Sequence, residues 1–227
     1  MPAPLSIIIP TLNAAGDLPL CLESLVAGLE SGLIREVIIS DGGSEDATLE
    51  IAEAAGCTLI VATKGRGTQL ATGATAARGD WLFFLHADTA LSPDWVEATT
   101  RHIETNPNKA AAFKLVFRSD AKQARWLERR ANARARRLGL PWGDQGLLIS
   151  RALYDEVGGY ADVPLMEDVM IVRVIGKKRL AFLSAEARTS AAKYERDGWH
   201  KRARSNAFLQ ARFLMGASPE KLAKRYT

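Results

Sequence analysis

Trp81-Leu82-Phe83-Phe84-Leu85-His86-Ala87-Asp88-Thr89 is the stretch on which the reading of the fold turns. Its first five residues are apolar and three of them are aromatic, as in a strand buried on both faces of a central sheet. The run ends at His86 and Asp88, and Leu91-Ser92-Pro93-Asp94 then opens a helix. A buried strand that delivers a carboxylate to its C-terminal end places it where open α/β sheets bind ligands. Asp88 is therefore the first candidate functional residue, although Asp88-Thr89 would serve equally well as a helix cap or turn.

Upstream, the chain alternates strand and helix. Residues 5–9 read as a β-branched strand closed by Pro10, and Asp17 can cap a helix over 18–29. Residues 34–40 form a second strand, Asp46 can cap a helix running to Ala55, and 58–62 form a third strand. Such repeated strand–loop–helix units predict a single-domain α/β fold with a doubly wound, mostly parallel sheet and right-handed crossovers. Downstream, helices are expected over 93–105, 118–138 and 151–157, after Glu167-Asp168, over 193–215, and from Pro219. Strands are expected over 110–117, 147–150 and 180–183.

With 227 residues, 47% hydrophobic and 25% charged, the chain is globular and long enough for one sizeable core. A net charge of +4 fits an acidic partner, whether phosphate ligand, nucleic acid or anionic membrane. The basic run at 118–138 is interrupted by Asp120 and Glu128 and carries Trp126 alone among aromatics. It reads as a solvated helix face, and no nucleic acid is expected. Cys21 and Cys57 lie in segments of regular structure, so no disulfide framework is implied and a reducing, cytoplasmic setting is the default. Met-Pro-Ala-Pro-Leu-Ser lacks the features of a signal peptide, and no run reaches the apolar length of a membrane span.

Lys64-Gly65-Arg66-Gly67-Thr68-Gln69 reads as a basic, glycine-rich loop, of a kind that lets backbone amides approach a phosphate or simply stays a solvated surface loop. It lacks the terminal Gly-Lys-Ser/Thr of a Walker loop, and Thr11 to Ala15 contains no glycine for a dinucleotide fingerprint. Polar loops thus follow successive strands at Thr11, Asp41, Lys64 to Gln69 and His86 to Asp88, along one carboxyl edge. Glu167-Asp168 starts a helix, where the pair suits the helix dipole or could act as a general base.

Together these segments resemble the family 2 glycosyltransferases of GT-A fold. The resemblance rests on Pro10-Thr11-Leu12-Asn13, Ser40-Asp41-Gly42-Gly43-Ser44-Glu45-Asp46-Ala47-Thr48, Gly79-Asp80-Trp81 through His86-Ala87-Asp88, and Gly158-Gly159-Tyr160 followed by Glu167-Asp168. It covers roughly residues 5–176, and the order of the motifs makes it more specific than any one of them. His86-Ala87-Asp88 and Gly143-Asp144-Gln145 further resemble a small bacterial subgroup, the rSAM/selenodomain-associated transferases.

The resemblance implies an inverting transferase that takes a nucleotide-diphosphate sugar, UDP-linked by preference, to an unidentified hydroxyl acceptor. It places Pro10, Thr11, Asn13, Asp41, Gly43, Lys64, Arg66, Gln69, His86 and Ala87 at the nucleotide, with Asp41 on the base. It implies that Asp88, with His86 as a second ligand, binds a divalent metal, Mn2+ or Mg2+, that bridges the diphosphate. It implies that Asp168 is the catalytic base with Glu167 beside it, and that Trp142, Asp144 and Gln145 lie on the acceptor side. His86 stands where the family has the first aspartate of Asp-X-Asp, so it brings no negative charge to the metal.

On this reading the nucleotide half spans about 1–92, the acceptor half about 93–190, and a basic helical segment 191–227. That last segment either packs on the sheet or lies weakly and peripherally on an anionic inner-membrane surface. Two other classes remain. A sugar nucleotidyltransferase would carry a glycine-rich basic loop after the first strand, where this chain has Thr11-Leu12-Asn13. A non-catalytic nucleotide-sugar binder is left open by His86.

Overall fold

The computed structural model describes residues 3–223. Its first half runs β1 (Leu5–Thr11), α1 (Leu18–Glu23), α2 (Val26–Glu30), β2 (Ile34–Asp41), α3 (Thr48–Ala54), β3 (Thr58–Val61), α4 (Arg66–Ala76) and β4 (Trp81–Phe84). Next come β5 (Thr89–Leu91), α5 (Trp95–Thr105), β6 (Ala110–Phe117), α6 (Lys122–Leu138), a 3-10 turn at Gly143–Gln145, and β7 (Leu147–Ser150). The chain continues through α7 (Arg151–Glu156), α8 (Glu167–Ile175), a 3-10 turn at Lys177–Arg179, β8 (Leu180–Thr189), α9 (Ala192–Asp197), α10 (Trp199–Leu214) and α11 (Pro219–Ala223).

The strands form one sheet in the order β3-β2-β1-β4-β7-β6-β8-β5. It is the mostly parallel sheet expected, in a single α/β domain, with β7 and β5 running against their neighbours. The pleat sends alternate side chains to opposite faces. Ile7, Ile9, Phe83 and Leu85 enter one core with Trp95 and Phe113, and Ile8, Leu82 and Phe84 enter the other with Tyr154 and Tyr160. Phe83 stacks on Phe113 with ring centroids 4.9 Å apart, and Phe84 meets Tyr160 edge-on at 4.8 Å.

Several elements depart from the sequence reading for local reasons. β1 does not stop at Pro10 but runs to Thr11, with Pro10 opposite Ser40 of β2. β4 leaves β1 at Ile8↔Phe84, so beyond that point one side of β1 has no ladder for proline to interrupt. The helix expected over 18–29 is two short helices, because the Trp95 indole donates to the Ser24 carbonyl at 3.0 Å and draws it off the helical ladder. Asp17 makes no cap bond; its carboxylate accepts from Arg118 at 2.5 Å.

The basic loop at 64–69 is helical from Arg66 onward. Gly67 is needed for close packing, since a Cβ there would sit 2.3 Å from the Ala161 carbonyl oxygen. β8 extends to Thr189, well past the expected 183, and pairs with the unforeseen β5. Its buried residues there are the small Ala185 and Ala187 and the polar Thr189, too weakly apolar to announce a strand. Gly198, in the left-handed region at φ 87°, divides the helix expected over 193–215 into α9 and α10. Residues 224–227 of the segment 191–227, and Met1-Pro2 of the N-terminus, lie outside the described residues.

Phe83 is fully buried between Phe113 and Trp95. Phe83→Ala should cost about 3–5 kcal/mol in unfolding free energy, measured by urea titration. A loss under about 1 kcal/mol would show that β4 is not the centre of the core.

Candidate active site

The loops that follow β1 and β2 are fastened to each other. Asp41, at the end of β2, accepts at one oxygen from Thr11 Oγ1 (2.8 Å) and Ser44 Oγ (2.5 Å). Its other oxygen accepts from the amides of Gly43 (2.8 Å) and Ser44 (2.7 Å). Burial pushes its pKa up, but these donors outweigh burial and hold the carboxyl below its usual range. Four bonds fill the acceptor capacity of a carboxylate, so Asp41 organises the 41–44 turn, and a base contact would have to displace a donor.

Asn13, left-handed at φ 51°, donates its amide to Ser44 Oγ and accepts from the Glu45 amide, both at 2.8 Å. Gln69 is buried, and its Nε2 donates to the carbonyls of Thr11 (2.6 Å) and Ser40 (2.9 Å), joining the ends of β1 and β2. Gln69 is thus a staple beneath the loops, whereas Lys64 is exposed and Pro10 half-buried at the same edge. Ala87 is buried in the core.

Arg66, His86, Asp88, Trp142, Gly143, Asp144, Glu167 and Asp168 line one pocket of about 150 Å³. α4 supplies Arg66, the turn after β4 supplies His86 and Asp88, and α8 opens with Glu167 and Asp168. Met166 introduces α8 at φ 70°, a conformation that non-glycine residues adopt at a cost and that concentrates at functional sites. Asp168 Oδ2 accepts from the Gly143 amide at 2.8 Å, and Oδ1 accepts from Val169 at 2.7 Å. A Cβ at Gly143 would lie 2.7 Å from His86 Nε2, so only glycine lets the 143–145 turn reach both His86 and Asp168. Gln145, expected on the acceptor side, is instead fully buried and donates to the Phe113 carbonyl at 3.0 Å.

Burial governs the charges here. It raises Glu167 to about 7, with Asp168 adding to the rise and Arg66, 3.4 Å away, opposing it. It raises Asp144 to about 6 against the pull of Arg134, with Asp168 and Asp88 adding to the rise. It lowers His86 to about 3, helped by the Arg66 cation, so the imidazole is neutral at ordinary pH.

Among the described residues, no group of three or more His, Cys, Asp or Glu side chains could hold a metal ion. Asp88 offers one carboxylate. Its Oδ1 accepts from Thr89 (3.3 Å) and Thr189 (3.4 Å), and the Lys193 ammonium lies 3.8 Å from its Oδ2. With the neutral His86 this donor set fits a cation that arrives with a diphosphate, since hard cations are often held by one or two carboxylates plus substrate phosphates. It does not make a cage built by the protein alone.

Lys193, Tyr194, Arg202, Asn206 and Gln210 of α9 and α10 also line the pocket, and sequence reasoning did not place them there. Their only signal was a basic, aromatic segment, and Lys193 meets Asp88 solely because α9 follows the turn at the end of β8.

The family model for glycosyl transferase family 2 matches residues 6–161. A PGL/p-HBAD biosynthesis glycosyltransferase of Mycobacterium bovis is 41% identical over 99 residues, which cover 40% of this chain and 38% of that protein. An uncharacterized glycosyltransferase of Haemophilus influenzae is 33% identical over 106 residues, covering 46% of this chain and 36% of its own length. The matched stretch is thus well under half the length of either relative. Among solved structures, S. aureus TarS 1-349 in complex with UDP-GlcNAc superposes with a TM-score of 0.62 at 19% identity, covering 82% of this chain and 58% of that one. Glucosyl-3-phosphoglycerate synthase from Mycobacterium tuberculosis, in complex with Mn2+ and UDP-glucose, superposes with a TM-score of 0.60 at 20% identity, covering 82% and 70%. These two likenesses establish the shared fold.

Between pH 4.5 and 7 the folded chain binds a proton at Glu167 that the unfolded chain has released. Its contribution to stability therefore falls as pH rises through that window, by on the order of 3 kcal/mol in all. Glu167→Gln should flatten that slope in urea unfolding at pH 5, 6, 7 and 8. Parallel wild-type and variant curves would show that Glu167 titrates like a solvent-exposed carboxylate.

Proposed function

This chain belongs to glycosyl transferase family 2, and from that premise we propose that it transfers a sugar from a nucleotide-diphosphate donor, UDP-linked, to an acceptor hydroxyl with inversion. The observation that carries the reading is the convergence of Asp88, at the carboxyl end of the central strand, with Asp168, at the start of α8, on one pocket. The nucleotide would lie along the loops of Thr11 to Asn13 and Asp41 to Gly43, with its diphosphate near Arg66 and His86. His86-Ala87-Asp88, with histidine in place of the first aspartate, and the Gly143-Asp144-Gln145 turn support placement in the rSAM/selenodomain-associated subgroup.

In the proposed displacement the acceptor oxygen attacks C1 of the sugar as the bond from C1 to the diphosphate oxygen breaks. The diphosphate leaves with the bonding pair, and Asp168 takes the hydroxyl proton. The bond from the Gly143 amide orients the Asp168 carboxylate for this task. Glu167, held by Arg66 and raised towards neutrality, is the second proton acceptor in reach. Arg66 and Lys193 place positive charge beside the leaving group. Asp88, with His86, would hold Mn2+ or Mg2+ arriving with the donor, and that cation would neutralise charge on the diphosphate.

Among the described residues no helix is long and apolar enough to cross a membrane. We include a peripheral contact in the proposal, because Phe208 and Leu214 of α10 and Met215 beyond it are exposed on the same segment that exposes Lys201 and Arg204.

Three outcomes are expected. Asp88→Ala should abolish the Mn2+-dependent part of UDP binding in calorimetry; equal affinities would remove Asp88 from the site. Asp168→Asn should bind UDP as wild type does while hydrolysis or transfer of a labelled UDP-sugar falls about 10²- to 10⁴-fold. Unchanged turnover would shift the role to Glu167. Sedimentation with phosphatidylglycerol vesicles should show binding at low salt that vanishes at high salt. Protein left wholly in the supernatant would mean that these side chains make no membrane contact.

A further inference from the structure

A groove of about 740 Å³ runs between α6 and α10 and opens into the catalytic pocket, sharing Trp142, Asp144 and Gln210 with it. That volume is in the range of sites that bury a whole small molecule, about 300–1,000 Å³. Its walls are apolar and aromatic: Trp126, Leu127 and Ala131 on α6, Ala203 and Ala207 on α10, and Trp142 at the inner end. The aromatic walls are held in place by cations, with Arg134 3.7 Å above the Trp142 ring and Arg130 4.7 Å above Trp126.

Arg130, His200 and Arg204 line the groove away from the pocket, whereas Arg134, Asp144 and Gln210 lie where the two meet, and each of these three carries an atom without a hydrogen-bond partner. Six buried side-chain polar atoms among the described residues have no hydrogen bond, and three of them are Arg134 Nη2, Asp144 Oδ1 and Gln210 Nε2. All three residues line the groove. A buried donor or acceptor without a partner is costly, so a cluster of them at one end of an apolar channel is a specific demand for a ligand. Together they offer donors from an arginine and an amide and an acceptor from a carboxylate, the set that a hydroxylated head group satisfies.

We infer that this groove seats the acceptor, and that the acceptor is an amphiphile. Its hydroxyl-bearing head bonds Arg134, Asp144 and Gln210 beside Asp168, and its alkyl body lies between α6 and α10. The role of the head's hydroxyl rests on the glycosyltransferase reading; the binding of an amphiphile does not. A wholly polar acceptor would leave the aromatic walls wet and gain nothing from their area.

The test uses n-alkyl β-D-glucosides from hexyl to decyl, each below its micelle concentration, titrated into the full chain by calorimetry with UDP titrated in parallel. Affinity should rise about two- to fourfold for each added methylene, fourfold being close to the limit for full burial. Ala207→Trp, at an exposed position in the groove wall, should weaken decyl glucoside at least tenfold and leave UDP affinity unchanged. Gln210→Leu should weaken every glucoside by a similar factor while keeping the dependence on chain length, which separates head from body. If circular dichroism shows Ala207→Trp misfolded, Trp126→Ala replaces it and should flatten the chain-length dependence.

An affinity that ignores chain length, or a folded Ala207→Trp that binds decyl glucoside as wild type does, overturns the inference. Loss of UDP binding alone, with the glucoside series as expected, refutes the donor reading and leaves the groove standing.

Discussion

Burial of β4 on both faces is the constraint on which the remaining structure depends. Phe83 and Phe84 point into different cores, so a one-residue shift in register would drive each into the other's core and misfit both. The strand is therefore pinned between β1 and β7, and the chain can turn polar only where β4 ends. His86 and Asp88 follow at once, at the same carboxyl edge to which β1 and β2 deliver Thr11 and Asp41. The site is positioned by hydrophobic packing before any of its polar groups interact.

Charge at that edge is then set by what each carboxylate finds around it. Asp41 and Glu167 are both almost wholly inaccessible, yet one is driven below its normal range and the other up to about 7. The difference is the supply of donors. Asp41 sits in a turn whose amides and hydroxyls point at it, whereas Glu167 has Arg66 at 3.4 Å and a neighbouring carboxylate. Burial penalises charge in both, and only the first has enough hydrogen bonds to offset it. The pocket thus holds proton acceptors tuned near neutrality beside a turn whose carboxylate is fixed as an anion.

Between these groups, small residues allow the close approaches. Gly143 lets one turn touch both His86 and Asp168, and Gly67 lets α4 rest against the 161–163 loop and so carries Arg66 towards Glu167. Both glycines would be invisible as functional residues in a list of polar side chains. Their contribution is the absence of a Cβ at a crowded point.

Local pattern carried the α/β class, the parallel first half of the sheet, and the burial of Asp88's strand, because these depend on alternation, β-branching and apolar runs within a few residues. The resemblance to family 2 glycosyltransferases, added to that pattern, brought Thr11, Asp41, His86, Asp88, Glu167 and Asp168 forward as one candidate site, and the fold gathers the last four of these around one pocket while Thr11 and Asp41 bond each other at the edge. What only tertiary structure decided is the partnering. Gln69 and Gln145 read as polar site residues, yet both are buried and spent on backbone carbonyls of other elements. Lys193 reads as the start of a basic, aromatic helical segment, and it comes to Asp88 because β8 runs on to Thr189 past its apolar stretch. Arg134 reads as one cation of a charged helix face, and it lies over Trp142 at the junction of pocket and groove. Periodicity specifies which face of an element is buried, but a side chain's partner across the fold depends on where other elements end, and no local pattern encodes that.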